Sequence, residues 1–167
     1  MGSDVKPMRV AIAGLGAIGK SLAIRLTNGD IPGVVLTAVS AKNQDRANEF
    51  VKTLAYPVKV LSISELEPEA DVVVECAPAE LLADIISPFL KAKKKAIVLS
   101  VGAILFKPEL IELAKNTGGV IMVPTGALIG LDAMIAAAEG EIFSVKMVTN
   151  KPPLGLKGSP HLIENNI

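Results

Sequence analysis

Gly14, Gly16 and Gly19, in the stretch GLGAIG, follow the spacing Gly-x-Gly-x-x-Gly. That spacing suits one chemistry, the holding of a diphosphate by main-chain amides. Gly14 lets the backbone leave a strand through a conformation that a Cβ penalises, Gly16 admits close approach of the anion, and Gly19 lets helix and strand pack closely. The N–H groups of Ala17 and Ile18 then point at the anion, and the helix dipole adds about half a positive charge there. A turn of purely structural purpose carries the same letters, so the flanking residues decide.

Before the glycines, Val10 to Ala13 is an apolar run of strand length. After them, Ile18, Leu22 and Leu26 recur at helical spacing and are expected on the packed face, with Lys20 and Arg25 in water. Strand, tight turn and helix near the N-terminus are the context a dinucleotide site requires.

Few other groups with reactive chemistry are present. The single histidine, His161, lies beside Pro160 in a segment of little periodicity and reads as a surface loop residue. The single cysteine, Cys76, sits in the apolar run DVVVECAP and reads as a buried strand position. Neither metal-ligand spacing nor a nucleophile elbow is found, so no metal is expected and no catalytic residue is assigned. Glu75 and Glu80 flank a strand end, where Glu75 equally suits the capping of backbone groups.

The 167 residues hold 17 basic and 17 acidic side chains, and this balance gives no electrostatic ground for a nucleic-acid partner. Aromatic residues are 3% with no Trp, which argues against base-stacking surfaces. The cluster Lys91, Lys93, Lys94 and Lys95 falls where a helix ends before a strand and is expected to complement that terminus. No apolar run approaches the ~20 residues of a spanning helix, and MGSDVKP lacks a signal-peptide core. The expectation is a soluble, cytoplasmic protein without a membrane partner.

Strand and helix alternate along most of the chain. Strands are expected over 34–39, 58–61, 71–76, 96–100 and 120–123, with helices over 44–54, 80–91, 108–115 and 131–138; Ser64 is expected to cap a single turn before Pro68. Apolar strands covered on both faces make an α/β fold, a doubly wound parallel sheet with its ligand at the strands' carboxyl ends. That domain is expected to span 1–140. From Glu141 the pattern weakens, and 141–167 reads as the opening of a second, incomplete domain.

The residues after each strand should line the crevice: Gly14 to Gly19, Ser40 to Lys42, Ala77 to Glu80, Ser100 to Ala103 and Thr125 to Leu128. The second strand ends Val39-Ser40-Ala41-Lys42, without the carboxylate that accepts ribose hydroxyls in NAD-selective sites. Ser40 suits a ribose hydroxyl; Lys42 either pairs with a 2′-phosphate or is simply solvated. NAD and NADP both remain open as cofactor.

GLGAIG at 14–19, ECAP at 75–78, SVGA at 100–103, PTGALIGLDAM at 124–134 and NKPPLGLKGSPHLIEN at 150–165 together resemble the L-aspartate dehydrogenase family. The resemblance implies a Rossmann-type domain followed by an α+β domain, a homodimer, and NAD(P)-dependent oxidative deamination of L-aspartate to iminoaspartate, which hydrolyses to oxaloacetate and ammonia or feeds NAD biosynthesis. By position it implies that Gly14, Gly16, Ala17, Ile18 and Gly19 hold the pyrophosphate. Ala77, Pro78, Ser100, Val101 and Gly102 line the cofactor trench, and Ala127 touches the nicotinamide end. Thr125 stands where the family more often has Ser. Family members continue beyond the KPPxGL block into a region with a cofactor-contacting Asn and the catalytic His, which have no counterpart here, so a catalytically incomplete fragment is expected and His161 does not inherit that role. Relatives of homoserine dehydrogenase or dihydrodipicolinate reductase are disfavoured by the PTGALIGLDAM block. The reading from another class is a non-catalytic NAD(P)-binding module or redox sensor.

Overall fold

Short runs of Val, Ile and Ala bounded by glycine, proline and polar residues produce the six strands of one parallel sheet: β1 (Met8–Ala13), β2 (Val34–Ser40), β3 (Lys59–Val60), β4 (Val72–Glu75), β5 (Lys95–Val98) and β6 (Val120–Met122). They lie in the order β3-β2-β1-β4-β5-β6 in the computed structural model, which describes residues 6–126, 130–148, 150 and 160–164. The expected doubly wound sheet is therefore present, with its order reversing between β1 and β4.

Alternation along the strands splits the core in two. Val10, Ile12, Val72 and Val74 face one side, with Ala23 and Leu26 of α1 (Ala17–Thr27). Ala11, Ala13, Val73, Ala96 and Val98 face the other, against Leu82, Ile85, Ile86, Phe89 and Leu90 of α3 (Leu82–Lys91). The remaining helices of the first unit are α2 (Gln44–Val51), α4 (Val101–Ile104) and α5 (Pro108–Thr117).

A bulge interrupts the pairing of β1 with β2: Val10 faces Leu36 and Ala11 faces Ala38, leaving Thr37 as the extra residue. Side chains repair the broken ladder. Thr37 Oγ1 donates to the Val10 and Glu69 carbonyls at 3.1 and 2.8 Å, and the Leu36 N–H donates to the Tyr56 hydroxyl at 2.8 Å.

α3 ends in paired bonds, Lys93 N–H to Leu90 O at 3.0 Å and Lys94 N–H to Phe89 O at 2.8 Å, with Lys93 at φ 59°. This is the Schellman arrangement, with lysine at the left-handed position where glycine is usual. Lys94 does not serve the helix terminus through its side chain: its ammonium pairs with Glu67 at 2.6 Å and donates to the Glu67 carbonyl at 2.7 Å.

Several boundaries differ from the sequence expectation. Ile18 is 62% exposed, and the packed stripe of α1 runs through Gly19, Ala23 and Leu26 instead, because the absence of a side chain at Gly19 lets that side approach the sheet. Ser62, not Ser64, organises the turn at Ile63–Glu65, its N–H and hydroxyl both donating to Glu65. Val101 to Ile104 forms a helical turn, and Pro160 to Glu164, including His161, forms α7, where the sequence pattern suggests irregular chain. The molecule divides into two compact units, Met1–Gly126 and Ala127–Ile167. In the second unit, α6 (Leu131–Ala137) starts from Gly130, whose carbonyl accepts the Met134 N–H at 3.0 Å, and Ile142 to Val148 forms no regular element.

Candidate functional site

The carboxyl ends of β1 and β4 meet at the reversal of strand order. Gly14, directly after β1, sits at φ 106°, and a Cβ there would lie 2.4 Å from the Cys76 carbonyl oxygen. Its N–H donates to the Ser40 carbonyl at 2.8 Å, which ties the loop to the end of β2 as well. At Gly19 a Cβ would lie 1.9 Å from the Gly14 carbonyl oxygen. These two positions are closed to any side chain.

Gly16 is different: a Cβ there would meet nothing within 4 Å. Its backbone is extended and it precedes α1 with no side-chain cap, and no acidic residue occupies the first turn of that helix. The amides of the first turn, which a helix cannot satisfy internally, thus face open space next to a residue lacking a side chain. This is the geometry of a cradle for an oxyanion.

The cradle opens into a cleft of about 1770 Å³, lined by Gly14, Gly16, Ser40, Lys42, Ala77 and Pro78 among others. That exceeds the roughly 300–1,000 Å³ of compact ligand pockets and suits an elongated ligand. Ser40 is 5% exposed at the end of β2, and Lys42 is exposed. Ala17 and Ile18 begin α1 directly after Gly16 without lining the cleft, and Gly19 is buried. Ser100, Val101 and Gly102 do not line this cleft, and Ala127 lies outside the described residues.

Ser100 is bound to the site through Glu75. The Glu75 carboxylate, fully buried at the end of β4, accepts the Ala77 N–H at 3.1 Å, the Leu99 N–H at 3.1 Å, the Ser100 N–H at 2.9 Å and the Ser100 hydroxyl at 3.0 Å. It therefore caps backbone groups, which removes it from consideration as a free acid or base. Beside it, burial, and secondly the Glu75 charge, push the Cys76 thiol up to about 11, so Cys76 is a protonated, poorly nucleophilic thiol at neutral pH.

Arg46 does not stand out in the sequence, yet it lines the cleft near Lys42. Asn43 caps α2 by accepting the Arg46 N–H at 2.8 Å, which fixes Arg46 in the first turn, above the end of β2. The legible signal is the cap itself: three residues beyond Asn43, a side chain is carried back toward the strand ends. Among the described residues, no group of three His, Cys, Asp or Glu side chains is placed to hold a metal, and no helix is long and apolar enough to cross a membrane.

A parallel sheet in this order, with a glycine cradle at its reversal point, defines the class: the dinucleotide-binding domains of dehydrogenases. Residues 14–124 match the family described as homoserine dehydrogenase, NAD binding domain, and the chain is a member of it. It is 53% identical over 165 residues to L-aspartate dehydrogenase 3 of Bordetella bronchiseptica, covering 99% of this chain and 61% of that protein. It is 50% identical over 160 residues to L-aspartate dehydrogenase of Bradyrhizobium diazoefficiens, covering 96% of this chain and 56% of that one. The chain is thus similar to L-aspartate dehydrogenases, and it spans about 60% of the length of these relatives. Aspartate dehydrogenase of Thermotoga maritima has the same fold at 23% identity, with a TM-score of 0.59 over 79% of this chain and 52% of that one. Biliverdin reductase of Synechocystis, solved with biliverdin and NADP+, has it at 22% identity, with a TM-score of 0.59 over 80% of this chain and 42% of that one.

Proposed function

We propose that this chain is the cofactor-holding part of an NAD(P)-dependent L-aspartate dehydrogenase, which converts L-aspartate to iminoaspartate and so to oxaloacetate and ammonia. The observation that carries the reading is the uncapped first turn of α1 beside the open Cβ position of Gly16. Identity of 53% to a protein named for that activity supports L-aspartate as the substrate.

In this assignment the amides of Gly16, Ala17 and Ile18 hold the pyrophosphate. Gly14 and Gly19 bring strand, loop and helix close enough for those amides to converge. Ser40 takes a ribose hydroxyl, while Ala77 and Pro78 form the floor against which the ligand lies. The resemblance assigns Ser100, Val101 and Gly102 to the cofactor trench and Ala127 to the nicotinamide end. When bound, the nicotinamide supplies the acceptor for the hydrogen and electron pair leaving the substrate carbon, and the protein contributes position and electrostatics.

No residue of this chain is assigned to proton transfer. The resemblance further implies that 141–167 opens an α+β domain and that the assembly is a homodimer. A cytoplasmic enzyme feeding NAD biosynthesis agrees with the family.

The test is a titration of NADH and NADPH fluorescence with the purified chain, alongside an assay of L-aspartate-dependent NAD(P) reduction by the whole product of its coding region. Saturable binding with turnover by the whole product supports the reading. Binding without L-aspartate turnover by the whole product would leave a nucleotide-binding module instead, and no saturable binding of either nucleotide would remove the assignment altogether.

A further inference from the structure

The protein carries no net charge, yet its cleft does: Lys20, Lys42, Arg46 and Lys91 line it against the single carboxylate of Asp84. Two of these cations, Lys42 and Arg46, belong to the loop and first turn that follow β2, where the adenosine ribose of a dinucleotide lies in this fold. The ion pairs formed among the described residues engage neither of them. Lys20, by contrast, is committed to the Phe50 ring at 5.3 Å from its centroid.

Carboxylates near this corner are placed elsewhere. β2 ends in Ser40, and the next acidic side chain, Asp45, does not line the cleft. Asp45 and Glu49 share with Arg46 a separate shallow depression, without coming within ion-pairing distance of it. A ribose 2′-hydroxyl thus finds the hydroxyl of Ser40 and no carboxylate following β2, whereas a 2′-phosphate of about −1.5 to −2 charge finds two cations that no ion pair among the described residues engages. Arginine adds a planar fork of donors matched to phosphate oxygens.

Resting on the proposed dinucleotide site, we infer that the site selects the 2′-phosphorylated cofactor, NADP(H), over NAD(H), and that Lys42 and Arg46 together are the selecting residues. Arg46 supplies the geometric recognition from the capped first turn of α2, and Lys42 adds a second charge from the loop. Ser40 remains in contact with the ribose in either case.

The experiment measures dissociation constants of NADPH and NADH by nicotinamide fluorescence for the native chain, Lys42→Ala, Arg46→Ala and the double variant. Both side chains are exposed, and thermal unfolding of each variant confirms that the fold is kept. NADPH is expected to bind about tenfold more tightly than NADH, each single substitution to lower that ratio about threefold, and the double variant to bring it near one. NADH binding as tight as NADPH, or a preference that survives in the double variant, overturns the inference while leaving the dinucleotide site intact. Failure of both nucleotides to bind instead strikes the underlying site, and the inference falls with it.

Discussion

Glu75 and Ser100 are joined twice at the ends of neighbouring strands, the serine N–H donating to one carboxylate oxygen at 2.9 Å and its hydroxyl to the other at 3.0 Å. With the Ala77 and Leu99 amides, the carboxylate satisfies donors from both loops at once. Glutamine keeps the shape but offers one acceptor oxygen, and its NH2 must face at least one backbone N–H. Glu75→Gln should cost about 1–3 kcal/mol of stability and Ser100→Ala about 1 kcal/mol, read from urea midpoints at constant slope.

The glycines separate by function. Gly16→Ala meets open space, so its stability should stay within about 1 kcal/mol of the native protein while nucleotide affinity falls at least tenfold. Gly19→Ala places a methyl group against the Gly14 carbonyl and should lower the thermal midpoint by several degrees before any ligand is added. Paired melting curves and nucleotide titrations check both.

Cys76 provides a pH signature. Its thiol is raised to about 11 from an ordinary 9.0, so the folded protein keeps the proton that the unfolded chain releases. Stability associated with the protonated thiol is complete below about pH 9 and lost as pH rises toward 11. Iodoacetamide at pH 8 should therefore modify the folded protein on the order of 100-fold more slowly than the urea-unfolded chain, a difference that Cys76 labelling followed by mass spectrometry measures.

On the acid side, the Arg9 guanidinium holds the Asp71 carboxyl below its ordinary value of 3.8, at a contact of 2.6 Å. The stabilisation is present above that ordinary value and disappears as pH falls through the lowered one. Asp71→Asn should lower the urea midpoint at pH 7 and flatten its decline below pH 4. The effect is modest because both side chains are over a third exposed.

Lys93→Gly should stabilise the protein by about 0.5–1 kcal/mol, since the left-handed conformation after α3 penalises a Cβ and its two capping bonds use only backbone. Chemical denaturation of the single variant suffices.

The cradle is legible in the sequence because its causes are local: three glycines, an apolar run and a helical stripe within a few turns. Lys42 is legible for the same reason, as the residue standing where a carboxylate is missing. Arg46 is not, since an arginine on an amphipathic helix reads as solvated even where the Asn43 cap before it is legible. The Val101–Ile104 turn escapes sequence reasoning because it begins Val-Gly, of poor helical propensity, and the preceding amide is held by Glu75 from another strand. Periodicity alone misplaces Ile18, because it ranks an isoleucine above the glycine that in fact lets the helix settle onto the sheet.

Thr37 sets a parity in β2. Leu36 belongs to the α1 side of the sheet, Ala38 to the α3 side and Val39 to the α1 side again, so the strand alternates as though Thr37 were not counted. Were Thr37 drawn into the ladder as an ordinary member, every position after it would turn over, and Ser40 would be carried to the opposite surface. The placement of the Ser40 hydroxyl, proposed here to meet the ribose, thus depends on a residue left out of register near the strand's middle.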